Sequence, residues 1–425
     1  MRNILLFFPV FFFIIILGKS EASEIGTIDI HGFISQGFLQ SSDNNYMADT
    51  KDGTFEFSEM GLNVVTWVSP GLRVGTQFFA RDLGAFGNDE ITLDWAYADY
   101  QWRDWLGVRV GRQKVNMGLY NTTRDMDMLR TSILMPAGVY NETWRDAYQA
   151  FKGIGFYGNR SLHFLGSVSY IAQVGYFGVE ADGGVANAFR SAGLIDAESI
   201  DSDTTMTFHV RWDTPLNGLK FCCSLIPVSC DIKGKALSTA SLLGISEGAP
   251  FEIKPDYQNN VFSLEYTLGD LVLATEYSSF AGDITGGPLN VDVNTMGYYY
   301  SLAYRFTEWL EVGAYYSVFY GDKNDKDGKS FSKLTPQPNM LAMLKNPPSW
   351  FLNEYLLQPA YNNFQKDASL SFRFDLNENW LVKLEGHAMN GAYGADPLNN
   401  LPRADEPHGT VQRWFLFAAK VSFNF

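Results

Sequence analysis

The chain has 425 residues, a formal net charge of −15, and is 46% apolar and 15% aromatic. So acidic a balance excludes nucleic acid, which is held through its phosphates, as a partner. Beyond Leu17 no apolar run approaches the ~20 residues that a membrane-spanning helix takes.

In chain order, Arg2 supplies a basic start, Ile4 to Leu17 a short apolar run, and Ser20-Glu21-Ala22 a small-x-small cleavage site. Residues 1–22 therefore read as a secretory signal peptide and 23–425 as the exported protein, with a transmembrane anchor as the alternative. Loss of Arg2, Lys19 and Glu21, a net +1, leaves −16. An aromatic-rich exported chain with no further helical span has one way to cross a bilayer, a closed barrel that pairs all its backbone groups.

From about Gly26, period-two segments of roughly ten to fifteen residues alternate with tight turns and long polar connections. The first, Gly26 to Gln40, turns Ile28, Ile30, Ile34 and Phe38 to lipid and Asp29, His31 and Ser35 inward. The second runs from about Thr54 to Val68 and turns at Ser69-Pro70-Gly71. The third sets Leu72, Val74, Phe78 and Ala80 against Arg73, Gln77 and Arg81. The fourth has Ile91, Leu93, Trp95 and Tyr97 as its outer row. The fifth, Leu106 to Lys114, places Arg109 and Gln113 inside, while Arg112 and Lys114 break its parity. A long unpatterned stretch, 117–148, follows. Two further segments are joined across Gly158-Asn159-Arg160, and an acidic loop reaches Asp203.

Later segments are centred on Met206–Asp213, Leu219–Val228, Phe262–Leu268, Leu271–Tyr277, Met296–Phe306, Leu310–Tyr316, Ala368–Phe374 and Trp380–Ala388. The total is sixteen strands, or eighteen if a long loop hides a hairpin. The fold class is an all-β transmembrane antiparallel barrel with long external loops and short periplasmic turns. Trp67, Trp95, Trp102, Trp105, Trp212, Trp309 and Trp380 fall near segment ends, as an interfacial girdle requires.

The last segment, Arg413 to Phe425, sets Phe415, Phe417, Ala419, Val421, Phe423 and Phe425 on one face. It resembles the closing strand of Gram-negative outer-membrane barrels, which end on Phe after alternating apolar residues. The long stretch after the arginine-bearing fifth strand resembles loop three of the general bacterial porins, which folds into the barrel and narrows it. That resemblance implies a water-filled outer-membrane channel for small hydrophilic solutes and ions, seated in lipid and lipopolysaccharide as a homotrimer. It also implies a constriction drawn from Arg73, Arg81, Arg109, Arg112, Arg124, Asp125, Asp127, Arg130 and Arg145. Loop carboxylates and wall arginines would face each other there across a transverse field. Phosphate- and anion-selective relatives carry a lumenal lysine run, and none is visible here.

No cofactor, metal site or catalytic residue is expected. Asp322-Lys323-Asn324-Asp325-Lys326-Asp327-Gly328 lacks the terminal Glu of a calcium loop. Among five histidines, His31, His163, His209 and His387 are expected inward on separate strands, and Gly-x-Ser-x-Gly is absent, which disfavours a barrel enzyme. Apolar clusters at 340–344 and 350–357 leave a plugged or substrate-specific barrel as the other alternative. Small residues at Gly153, Gly155, Gly166 and Ala314 are candidates for packing a neighbouring subunit. Cys222, Cys223 and Cys230 allow a bridge from Cys230 to either neighbour, or free thiols.

Overall fold

A computed structural model describes residues 27–84, 87–149, 151–334, 358–395, 399–400 and 408–425. The signal-peptide assignment and the apolar clusters at 340–344 and 350–357 lie outside these.

The strands are β1 (Ile28–Ser41), β2 (Ser58–Ser69), β3 (Leu72–Asp82), β4 (Thr92–Arg103), β5 (Leu106–Gln113), β6 (Phe151–Ser161), β7 (Ser167–Phe177), β8 (Ile195–Ser202) and β9 (Thr205–Asp213). They continue with β10 (Leu219–Ala236), β11 (Pro250–Leu268), β12 (Leu271–Gly286), β13 (Leu289–Arg305), β14 (Leu310–Tyr320), β15 (Phe364–Asp375), β16 (Trp380–Gly391) and β17 (Arg413–Asn424). All neighbours pair antiparallel, β7 pairs directly with β9, and β17 returns to β1, closing a barrel of sixteen strands. The seam runs from Phe33 opposite Asn424 to Ser41 opposite Leu416, and Gly32 and Phe425 exchange both main-chain hydrogen bonds. Closure gives every barrel strand a neighbour on both sides, which a bilayer demands.

The alternation of the sequence becomes the two faces of the wall. Ile30, Ile34, Leu62, Phe78, Phe262, Tyr300, Phe372, Phe415 and Phe417 are exposed outside, whereas Ser35, Gln77, Ser263, Lys383 and Lys420 are buried inside. Exposed Trp67, Trp102, Trp105, Trp212, Trp309 and Trp380 all flank the turns joining β2–β3, β4–β5, β9–β10, β13–β14 and β15–β16. They form the girdle at one rim.

Trp95 is not part of it. Register slips between Gln77 and Phe78 of β3, so that Gln77 faces Trp95 while Phe78 faces Leu93. The extra residue, Asp94, is a bulge, and beyond it the parity of β4 inverts. Trp95 stacks on Tyr97 and Tyr97 lies under the Arg109 guanidinium, both inside the barrel. Other faces also differ from expectation. Gly153 and Gly155 share the inward row with Tyr157, and a Cβ on Gly155 would meet Gln113. They cannot pack an external neighbour. The β6–β7 connection is the 3-10 turn His163–Leu165, so His163 sits in a turn and not in the lumen. All three cysteines are free thiols.

The hidden hairpin did not add strands to the barrel. β8 pairs with the upper part of β10, Cys230 to Ala236, outside the barrel circuit. The strands β10 to β13 have 18, 19, 16 and 17 residues, against 8 in β5 and 14 in β1. At about 3.3 Å per residue the surplus lifts this quarter of the wall roughly 20 Å above the rest. Its inner face is apolar. Ile232, Phe251, Ile253 and Leu289 close over Ile195 and over helix α2 (Gly184–Ser191) through Val185, Ala186 and Phe189. The same cluster takes in Ala147 of helix α1 (Arg145–Gln149), so the tall wall rests on the third external connection.

Candidate constriction site

The third connection, between Gln113 and Phe151, enters the lumen. Its two ends are tied together: Val115 N donates to Tyr148 O at 3.0 Å, and Asn121 Nδ2 donates to Val115 O at 2.8 Å and to Tyr148 O at 3.3 Å. This pinch turns the intervening residues inward as one hairpin-like unit. Gly138 then crosses against β13 so closely that a Cβ on Gly297 would lie 1.7 Å from its carbonyl oxygen.

Three groups of wall side chains hold the loop. Against β10–β13, Glu276 accepts from Leu119 N (2.8 Å), Tyr140 Oη (2.5 Å), Tyr299 Oη (2.7 Å) and Ser263 Oγ (2.5 Å). Against β15–β17, Glu385 accepts from Ile133 N (2.7 Å) and Leu134 N (2.9 Å). There Lys383 donates to the carbonyls of Asp127 (2.6 Å) and Ser132 (3.1 Å), and Arg373 to that of Met128 (2.6 Å). Asp127 itself receives Lys420 at 2.7 Å, Arg130 at 2.9 Å and Ser422 at 2.9 Å.

Against β2–β4 lies the densest charge. Arg145 spans Glu59 (2.9 Å), Asp125 (2.5 Å) and Glu142 (3.4 Å). Glu142 also takes Arg124 at 2.7 Å and Arg81 at 3.1 Å, and Arg81 reaches Asp146 at 2.8 Å. Lys114, one residue beyond β5, pairs with Asp125 and, at 3.0 Å, with the bulged Asp94. The bulge thus supplies the wall carboxylate that receives the parity-breaking lysine. Burial alone would raise the Glu142 carboxyl, but Arg124, Arg145 and Arg81 hold it well below the ordinary carboxylate range.

Of the residues expected at the constriction, Arg81, Arg124, Asp125, Asp127, Arg130 and Arg145 come together in this network. Arg73 and Arg109 do not join it. Both pair with Asp99, at 3.0 and 3.1 Å, nearer the turns, and Tyr157 Oη donates to the same carboxylate. Arg112 donates to the carbonyl of Asp94 on the wall at 3.2 Å. The loop arginines meet loop carboxylates and Glu59, while the loop aspartates meet wall lysines. Period two alone puts Lys383, Lys420, Glu276 and Glu385 on inward rows, but only the path of the loop gives Glu59 and Lys114 their roles.

Each of the sixteen barrel strands contributes a buried inward side chain to a belt, among them Glu59, Gln113, Ser224, Glu276, Glu385 and Lys420. Water-accessible space lies on both sides of the belt. On the turn side a cavity of about 690 Å³ is lined by Arg109, Tyr120, Tyr157, His209, Arg211, Lys220 and Glu265. On the other side a cavity of about 240 Å³ is lined by Tyr46, Asn141, Glu142, Trp144 and residues of α2. Thr123 borders the first cavity and Glu142, the partner of Arg124, the second. Among the described residues no group of three or more His, Cys, Asp or Glu side chains is placed to hold a metal.

No protein-family model matches the chain, and no curated protein sequence does. Solved structures do. The outer membrane channel DcaP of Acinetobacter baumannii superposes with a TM-score of 0.55 at 10% identity, over 96% of this chain and 99% of that one. The anion-selective porin from Comamonas acidovorans gives 0.52 at 11% identity, over 94% and 100%. OmpT of Vibrio cholerae, in its trimer form, gives 0.52 at 11% identity, over 95% and 100%. At such identities the likeness is one of architecture: this chain has the fold of the outer-membrane porins.

Proposed function

We propose that this protein is an outer-membrane porin, exported with loss of residues 1–22, that passes small hydrophilic solutes and ions by diffusion through a lumen narrowed by its third loop. One observation carries the reading. A closed sixteen-strand wall, apolar outside and ionic inside, encloses water-accessible space on both sides of the inserted third loop. Arg81, Arg124, Asp125, Asp127, Arg130 and Arg145 act as the lock that positions the loop, and Arg73 and Arg109 line the approach on the turn side. Trimeric assembly in lipid and lipopolysaccharide is part of the proposal, supported by the trimer form of the similar OmpT.

The buried belt favours a second reading, a barrel that is plugged at rest. An enzymatic barrel has less support. Ser371, Glu385 and His387 are in contact, but Ser371 Oγ donates to Glu385 rather than to His387, and all three are buried. A nucleophile needs its base beside it.

Unitary currents of the purified protein in planar bilayers test these readings. Ohmic steps support the pore. Silence that persists when the loop is freed supports the plug, and silence accompanied by lipid or peptide hydrolysis supports the enzyme.

A further inference from the structure

Glu142 occupies a site built for an anion. Three guanidinium groups converge on its carboxylate, Arg124 at 2.7 Å, Arg81 at 3.1 Å and Arg145 at 3.4 Å. All three arginines are at least nine-tenths buried, whereas the Glu142 side chain is 17% exposed, through the 240 Å³ cavity. Glu142 is therefore the most exposed side chain of the four. Nε of Arg145 is buried with no hydrogen-bond partner, so the cluster has more donors than Glu142 uses.

We propose that a small carboxylate-bearing solute binds here in place of Glu142, taking the three arginines from the 240 Å³ cavity and releasing the loop carboxylate. The proposal rests on the porin reading and deepens it by naming a solute class. Planar, bidentate pairing suits guanidinium and carboxylate, and the loop supplies its own version of the ligand. Glu142 is then an internal competitor. The solute gains only the difference between its contacts and those of Glu142, so its affinity for the native protein is low and its exchange fast, as transport requires.

The test uses the full chain in detergent micelles and in planar bilayers, with acetate as probe and chloride as control at equal ionic strength. Glu142→Ala leaves a carboxylate-sized vacancy among the arginines. Calorimetry should show it binding acetate at least about tenfold more tightly than the native protein does. The double variant Glu142→Ala/Arg124→Gln should lose that gain. Equal acetate affinity in Glu142→Ala and native protein, or full retention of the gain in the double variant, overturns the proposal. If Glu142→Ala does not fold, the native protein decides: acetate should alter the unitary current saturably where chloride does not, and a response identical for both anions overturns it. A native protein that never conducts, while Glu142→Ala still binds acetate, refutes the porin reading and leaves the anion site standing.

Discussion

Asp127 offers the most direct way to ask whether the loop is locked to the wall. Its carboxylate is buried and receives Lys420 at 2.7 Å, Arg130 at 2.9 Å and Ser422 at 2.9 Å. It is also the one carboxylate within 4 Å of Lys383 among the described residues, at 3.8 Å. Asp127→Asn keeps the size and removes the charge. Lys420 retains Glu59 at 2.5 Å, but the fully buried Lys383 is left with carbonyl oxygens alone. Uncovering one member of a buried ionic group costs about 3–5 kcal/mol. The lower figure shifts a docked-to-released ratio on the order of a hundredfold. Unitary conductance and open fraction in planar bilayers should both rise. Lys383→Met removes the stranded cation together with its two carbonyl contacts, so the double variant should open the pore less than the sum of the two single effects. Strict additivity of the two single effects, within about 0.5 kcal/mol, or an Asp127→Asn current equal to the native one, would refute the lock.

Other outcomes follow from the same geometry. Arg124→Ala and Arg130→Ala should each change conductance or ion preference; unchanged reversal potentials and unitary currents in both would remove the loop from the mechanism. Gly297→Ala places a methyl against the Gly138 carbonyl, 1.7 Å from the ideal Cβ. It should raise susceptibility of the loop to protease while the strand content measured by circular dichroism stays native. The Glu142 carboxyl is held low by its arginines, so its anchoring is complete above the ordinary carboxylate range and is lost only as pH falls through the depressed folded value. The native-to-Glu142→Gln conductance ratio should thus stay constant from about pH 7 to about pH 5, and convergence of the two currents in that window would contradict it. Gly32→Leu drives a side chain into the Phe425 ring, 2.5 Å from the ideal Cβ. Overpacking of about 1–3 kcal/mol should lower the temperature at which the barrel loses its compact electrophoretic mobility, and an unshifted transition would argue against a tight seam.

The barrel was legible because lipid enforces period two on one face, and the rows through Ile34, Phe78, Phe372 and Phe417 could be read from hydropathy alone. Where the reading failed, the period itself was broken or extended. The Asp94 bulge reverses the parity of β4 within an aromatic run, so Trp95 and Tyr97 looked like more of the outer row. The upper parts of β10 and β11 do alternate, Ile232 against Lys233 and Phe251 against Glu252, but their apolar side covers α2 and their charged side meets water. That pattern inverts the one below the rim. At the site, length marks the loop, and the period of two in the wall is enough to put Lys383, Lys420, Glu276 and Glu385 on the inward rows. Partner choice was not readable, since a loop of this length could reach several walls and only the Asn121 pinch and the Gly138 crossing select one.

The pairing of β1 with β17 has a kinetic consequence. Residues almost the whole chain apart must meet before the circle exists, so this contact carries the largest loop-closure entropy in the molecule. Until Phe425 has arrived, both terminal strands present bare hydrogen-bonding edges. Assembly therefore has a necessarily late step, and the protein depends on being shielded from its own copies until that step is taken.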